Sequence, residues 1–321
     1  MLLPCDEASA GGSVTTSDLT DAEEELFQGL PGPPATARIQ VSNVWIVEWL
    51  PSNEQRTGRL LHEWMKDRRP GWSAYSLCKT KQEVLSAIER ATTRAQQSGM
   101  VPALHLEAHG GDLGLEGPDS SGGTELLSWD ELTEPLQRLN LMTRCNLLVV
   151  VAACTGFAGI KVFHRGPRAP AFALVGPDAP VTPNSLLSGT KEFYRRWRDE
   201  NPRLGEMAAS ASQQAGTVTF EVEPFAILAY EAMVQQLIVS MRPEEQRLRA
   251  DRIRQRMIAA NRWLAAEIDR RLTFMPEFPS STELQQAWDE MFMIDLYPGN
   301  RERFGVDMTA IVELVVGKSL H

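Results

Sequence analysis

Two side chains in this chain carry the parts of a thiol hydrolase. His109 closes the run Val101-Pro-Ala-Leu-His-Leu-Glu-Ala-His109 and is followed by Gly110-Gly111. Cys154 closes the run Asn146-Leu-Leu-Val-Val-Val-Ala-Ala-Cys154 and is followed by Thr155-Gly156. Both runs read as strands. An imidazole and a thiol delivered to one edge of a sheet form a base and a nucleophile: the ring takes the thiol proton, and the thiolate attacks a carbonyl carbon. Glycine lets the backbone approach a substrate closely. The N–H groups of Gly110 and Cys154 are therefore the candidate donors to the oxyanion of a tetrahedral intermediate.

Each residue also has a plainer reading. A histidine beside a Gly-rich turn is as often a packed loop residue, and cysteine is among the most buried residue types. Cys145 and Cys78 fit that description. Cys154 differs because it ends its strand at a turn, where a thiol can protrude. His105 falls on the same strand face as His109. A zinc site from His105, His109 and Cys154 is disfavoured, since no fourth ligand is suggested. His105 reads as a packed strand residue, and no metal is expected. Glu107 and Asp112 flank His109 and are candidates to orient it, against the simpler reading of exposed carboxylates. Asp178, after the next strand in Val175-Gly-Pro-Asp178, is a candidate substrate-binding residue. Tyr194-Arg-Arg-Trp-Arg198 reads as a solvated helix face.

These residues need a scaffold, and the pattern supplies one. Strand regions at 39–50, 72–77, 103–108, 147–152 and 171–175 alternate with helices at 55–67, 79–98, 128–139 and 185–199. Ser128 and Glu131 form a capping box. The order implies a mostly parallel sheet covered by helices, with its site beyond the carboxyl ends of the strands. The unbroken apolar run at 147–153 fits a central strand buried on both faces. Residues 1–36 read as a flexible leader, with a short helix at 18–29 capped by Ser17 or Asp18. Helices are expected at 225–241, 243–272, 284–296 and 308–316, with Ser280 and Glu283 forming another capping box. The organisation expected is a leader at 1–36, an α/β domain at 37–222 and an all-helical region at 223–321.

Composition excludes several classes. The 321 residues carry a formal charge of −10. That is a poor match to phosphate neutralisation, so no direct nucleic-acid partner is expected. No apolar run approaches the roughly 20 residues of a membrane helix, and the first residues lack a secretory pattern. Four cysteines without C-x-x-C spacing fit a reducing cytoplasm.

The segment Leu104-His-Leu-Glu-Ala-His-Gly110 resembles the histidine motif of the CHAT (caspase, HetF-associated with TPRs) family. The run from Ser128-Trp-Asp-Glu-Leu132 to Leu148-Val-Val-Val-Ala-Ala-Cys-Thr-Gly156 resembles its helix, strand and cysteine turn. Ala173-Leu-Val-Gly176, Val181-Thr-Pro and Phe193-Tyr194 are similar to the strand and helix that follow; the resemblance covers roughly 40–222. It implies a caspase-like three-layer sandwich and a cysteine–histidine endopeptidase without a cofactor. His109 would be the base and acid, Cys154 the nucleophile, and Gly110 and Cys154 the oxyanion donors. It also implies a protein substrate, and a regulatory partner of the kind found in bacterial defence operons, where such peptidases cleave gasdermin-like or CRISPR-linked proteins. Related basic-specific peptidases carry an acid after this strand. Ala179-Pro-Val-Thr-Pro-Asn184 has none, and Asp178 is the candidate substitute. The alternative is a catalytically silent caspase-like scaffold or sensor acting through the helical tail.

Overall fold

The computed structural model describes residues 19–33, 39–164, 166–200, 203–242, 244–248, 251, 254, 255 and 280–319. They form two compact units. One comprises Pro34–Ala226 with Asp289–Phe304, and the other Met1–Pro33, Ile227–Trp288 and Gly305–His321.

The first unit is built on a sheet of β1 (Asn43–Trp49), β2 (Ser73–Leu77), β3 (Pro102–Gly111), β6 (Leu148–Ala152), β7 (Ala173–Pro177) and β8 (Phe220–Pro224), in the order β2-β1-β3-β6-β7-β8. All pairs are parallel except β7 with β8. β6 is the sequence Leu-Val-Val-Val-Ala and is buried at every position, as a strand covered on both faces must be. Its helices are α2 (Thr57–Arg68), α3 (Lys81–Ser98), α4 (Trp129–Met142), α5 (Pro183–Glu200) and α6 (Leu204–Ala215).

Chain direction assigns these helices to two layers. The steps β1 to β2 and β2 to β3 run in opposite directions along the sheet, so right-handed crossovers place α2 and α3 on opposite faces. The step from β3 to β6 repeats the direction of α3's crossover, and α4 packs beside α3. The 3₁₀ segment Gly156–His164 packs beside α4, while α5 packs beside α2 and α6. The result is a three-layer α/β sandwich, the fold class expected. Capping is also as expected at α4, where Ser128 and Glu131 satisfy each other's backbone N–H groups.

Four elements escaped the sequence pattern. β4 (Gly114–Pro118) and β5 (Thr124–Ser128) form a hairpin that continues β3 past the sheet edge. Asp119 holds its turn, accepting N–H bonds from Ser121 and Gly123 at 2.7 Å each. β8 and α6 fall where no element was expected. The 289–304 segment completes this unit. The Arg168 guanidinium forks onto Asp295 at 2.9 and 3.1 Å, and Phe292 stacks on Phe304.

Beyond β8 every regular element among the described residues is helical: α7 (Phe225–Ser240), α8 (Ser281–Met291), a 3₁₀ turn (Pro298–Asn300), α9 (Arg301–Phe304) and α10 (Met308–Ser319). The expected box at Ser280 and Glu283 forms at the start of α8. In the second unit α1 (Asp21–Gln28) is capped by Thr20, not by Ser17 or Asp18, because Glu23 completes a capping box with that residue. Arg242 forks onto Glu23 at 2.7 and 2.9 Å. Most of the helix expected at 243–272 lies outside the described residues. Among the described residues no helix is long and apolar enough to cross a membrane.

Candidate active site

Strand register decides where His109 and Cys154 sit. β3 and β6 pair in parallel as His105 with Val150 and Glu107 with Ala152. Counting two residues on from the last pair gives His109 and Cys154. Neighbouring strands lie about 4.8 Å apart, and residues two apart share a face. Both side chains therefore leave the same edge of the sheet, on the face covered by α2 and α5. His109 is exposed and Cys154 half-buried.

The turn after Cys154 is strained. Thr155 has φ +50°, a left-handed conformation that costs a β-branched residue most. Its hydroxyl donates to the Cys154 carbonyl at 2.7 Å, and its N–H donates to the Ala179 carbonyl at 3.2 Å. Strain of this kind persists where surroundings over-determine it, and it collects at functional turns. The Cys154 thiol lies 3.7 Å from the Val181 carbonyl, which it faces as a weak donor.

Gly110 meets this turn directly. A methyl group on its Cα would come within 2.5 Å of the Cys154 carbonyl oxygen and 2.8 Å of the Ala153 side chain. Its N–H also has a direction. Gly111 and Gly114 pair across the two-residue turn between β3 and β4, with Gly110 opposite Leu115. In antiparallel ladders hydrogen-bonded and non-bonded pairs alternate, and the pair that closes a two-residue turn is bonded. The Gly110 pair is therefore non-bonded, and its N–H turns away from β4.

The residue beside the imidazole is one that sequence reading missed. Glu54, in the turn between β1 and α2, places Oε1 and Oε2 at 3.1 and 3.0 Å from His109 Nε2. Glu107 was a candidate for that place and is not there. It is buried, and accepts a hydrogen bond from the Thr57 hydroxyl. Asp112 is exposed at the hairpin turn. Only a loop that returns from β1 brings Glu54 to His109, 55 residues away, and no local pattern announces such a return.

A second, buried polar cluster lies behind the first on the same face. His105 Nδ1 is 3.1 Å from the Tyr194 hydroxyl, and Nε2 is 3.4 Å from Glu107 Oε2. The Glu107 contact is an ion-pair distance without hydrogen-bond geometry, and among the described residues neither His105 Nε2 nor Glu107 Oε2 has a hydrogen-bond partner. Glu48 pairs in register with Glu107 and accepts from the Gly58 N–H at 2.9 Å and from the Tyr75 hydroxyl. Burial pushes the Glu48 carboxyl above its ordinary range. The Tyr75 hydrogen bond opposes that shift, and the nearby Glu107 charge adds to it. Burial likewise holds the Tyr194 hydroxyl protonated.

Asp178 is exposed at the end of β7, and ties its own strand to β8: its N–H donates to the Thr219 carbonyl at 3.1 Å, and its carboxylate accepts the Thr219 N–H at 3.2 Å. The expected solvated helix face at 194–198 is mixed. Tyr194 is fully buried, whereas Arg195, Arg196 and Arg198 pair with Glu192, Glu200 and Asp199. Among the described residues no three His, Cys, Asp or Glu side chains converge as a metal site.

No family model matches this chain. No curated protein matches it either. Among solved structures, it is similar to the complex of the pro- and mature domains of Porphyromonas gingivalis RgpB, with a TM-score of 0.35 and 13% identity. The match covers 64% of this chain and 52% of that one, so the chain spans about half the length of the structure it matches. A likeness at that level says nothing about chemistry.

Proposed function

We propose that the chain is a caspase-like cysteine endopeptidase in which Cys154 is the nucleophile and His109 the base. The observation that carries this reading is the parallel register of β3 and β6, which delivers the two residues from neighbouring strand ends to one side of the sheet. The strained Thr155 turn and the close approach of Gly110 support it.

In this reading the Cys154 thiol gives its proton to His109. The thiolate forms a C–S bond to the peptide carbonyl carbon, and the carbonyl π electrons move to oxygen. The N–H groups of Gly110 and Cys154 hold that oxyanion. When the C–N bond breaks, the leaving amine takes the proton from His109. Water then gives a proton to His109 and attacks the thioester; the C–S bond breaks, and the proton returns to sulfur. No metal or cofactor enters these steps.

The resemblance of roughly 40–222 to the CHAT family extends the proposal to a dedicated protein substrate in a bacterial cytoplasm, of the gasdermin-like or CRISPR-linked kind. Residues 37–222 would be the peptidase domain, 223–321 a helical region that binds substrate or a regulator, and 1–36 a leader. Asp178 remains the candidate contact for the substrate residue before the cut.

The test is cleavage of a fluorogenic peptide library by wild-type protein and Cys154→Ala. Turnover by the first and none by the second is expected. Equal rates would overturn the assignment, and no turnover with an unreactive Cys154 thiol would favour the silent scaffold.

A further inference from the structure

We infer that Glu54 is the positioning residue for His109: its carboxylate holds the ring by Nε2 and leaves Nδ1 as the nitrogen for the Cys154 thiol. The inference rests on the cysteine–histidine reading above and adds a third member to it. Both Glu54 carboxylate oxygens lie within 3.1 Å of His109 Nε2. An imidazole that must accept a proton on one nitrogen needs the other held as a donor, and a carboxylate does that while balancing the charge of the imidazolium.

Glu54 can do this because its turn is tied at both ends. The Glu54 N–H donates to the Pro51 carbonyl at 3.2 Å, and the Arg56 guanidinium donates to the Leu50 carbonyl at 3.0 Å. The Gln55 amide donates to the Asn184 side chain at 3.1 Å, at the start of α5. Immediately after the turn, Thr57 and Gly58 bond to the buried Glu107 and Glu48. A functional side chain is held to useful precision when its neighbours are locked by packing and hydrogen bonds, and five separate bonds lock this turn and the residues that follow it. Stability is not the purpose of the contact. The His109 and Glu54 side chains are 49% and 39% exposed, and ion pairs that wet add little to folding.

The experiment needs no knowledge of the natural substrate. The rate constant for alkylation of Cys154 by iodoacetamide is measured in the native wild type, His109→Ala, Glu54→Ala and Glu54→Asp. Nitrogen-15 spectra of histidine-labelled protein report which ring nitrogen of His109 carries the proton. Glu54→Ala is expected to slow alkylation about tenfold and to mix the His109 tautomers. Thermal unfolding should stay unchanged, and Glu54→Asp should recover part of the loss. On a peptide substrate the loss should fall on kcat with KM within about twofold, since only the reacting groups are displaced. Wild-type alkylation and an unchanged tautomer in Glu54→Ala, alongside a collapsed rate in His109→Ala, would overturn the role of Glu54 and leave the dyad standing. An unchanged rate in His109→Ala would overturn the dyad and this inference with it.

Discussion

β3 carries two histidines on one face, four residues apart, and each is paired with a carboxylate. The His105–Glu107 pair is 0% and 3% exposed, the His109–Glu54 pair 49% and 39%. The residue types are the same, so the environment separates their roles. The inner pair is enclosed by Tyr194, Thr57 and the Glu48 network, where an unpaired polar group is costly and every change is felt as stability. The outer pair sits half-exposed where the sheet ends, so under the proposed function a change there is felt as chemistry. A histidine beside a carboxylate is therefore not a site by itself; the strand end is what makes the outer pair the candidate.

The sharpest way to break this comparison is to mutate both pairs and measure activity and stability on the same proteins. Cys154→Ala should abolish turnover. His109→Ala should lower kcat/KM by about 10²–10⁴-fold, the usual weight of a general base, with little change in urea unfolding. Glu107→Ala should do the reverse. It empties a buried site and strands the Thr57 hydroxyl, a loss of about 2–4 kcal/mol in urea unfolding. The alkylation rate of Cys154 in the protein that remains folded should stay near wild type. If Glu107→Ala instead abolished reactivity without loss of stability, the inner cluster would belong to the active site.

The two regions also differ in how well the sequence announced them. His109 and Cys154 were legible because strand periodicity locates strand ends, and strand ends are where parallel sheets present chemistry. The layer order and both capping boxes were legible for the same local reason. The hairpin after His109 was not. Gly111-Asp-Leu-Gly114 reads as a loop, and β5 needs β4 as a partner before its pattern means anything. Likewise β8, Phe-Glu-Val-Glu-Pro, is five residues with half-buried glutamates and is a strand only because β7 offers an edge. Glu54 and Glu107 show the limit most clearly. Glu107 lies two residues from His109 in sequence and was a candidate to orient it, yet it lies inside. Glu54 lies 55 residues away and is in contact. Burial and loop return are tertiary facts, and periodicity does not encode them.

A finer probe of the inner cluster is the pH dependence of Glu48→Gln. The folded Glu48 carboxyl titrates above its ordinary 4.5 because burial disfavours the charge and Glu107 repels it, although Tyr75, Gly58 and Arg56 oppose the shift. A raised folded value means the stabilising form is the protonated one. Its contribution is complete below 4.5 and is lost as pH rises through the folded value. Glutamine stays neutral throughout and can still accept from Gly58. Relative to wild type, Glu48→Gln should therefore gain stability between pH 4.5 and pH 8. Urea midpoints at the two pH values measure this. A difference that does not change with pH would show that Glu48 is not held above its ordinary range.

The smallest expected effect lies in the second unit, at a carboxylate shifted the opposite way. The Arg242 guanidinium, assisted by the Thr20 cap and opposed by partial burial, holds Glu23 down at about 2 from its ordinary 4.5. A depressed folded value reverses the sign. The contribution is complete above 4.5 and is lost as pH falls toward 2. Glu23→Gln should cost about 1 kcal/mol or less at pH 7, since the pair is only partly buried. That cost should shrink to nothing near pH 2. Amide exchange across Asp21–Gln28 at several pH values would read it locally. Exchange that rises equally in wild type and variant as pH falls would show that Arg242 contributes nothing to α1. Exchange that converges only near pH 2 would show that one forked ion pair holds α1, in contrast to the outer pair on β3, whose inferred role is to position a ring and which is too exposed to add much stability.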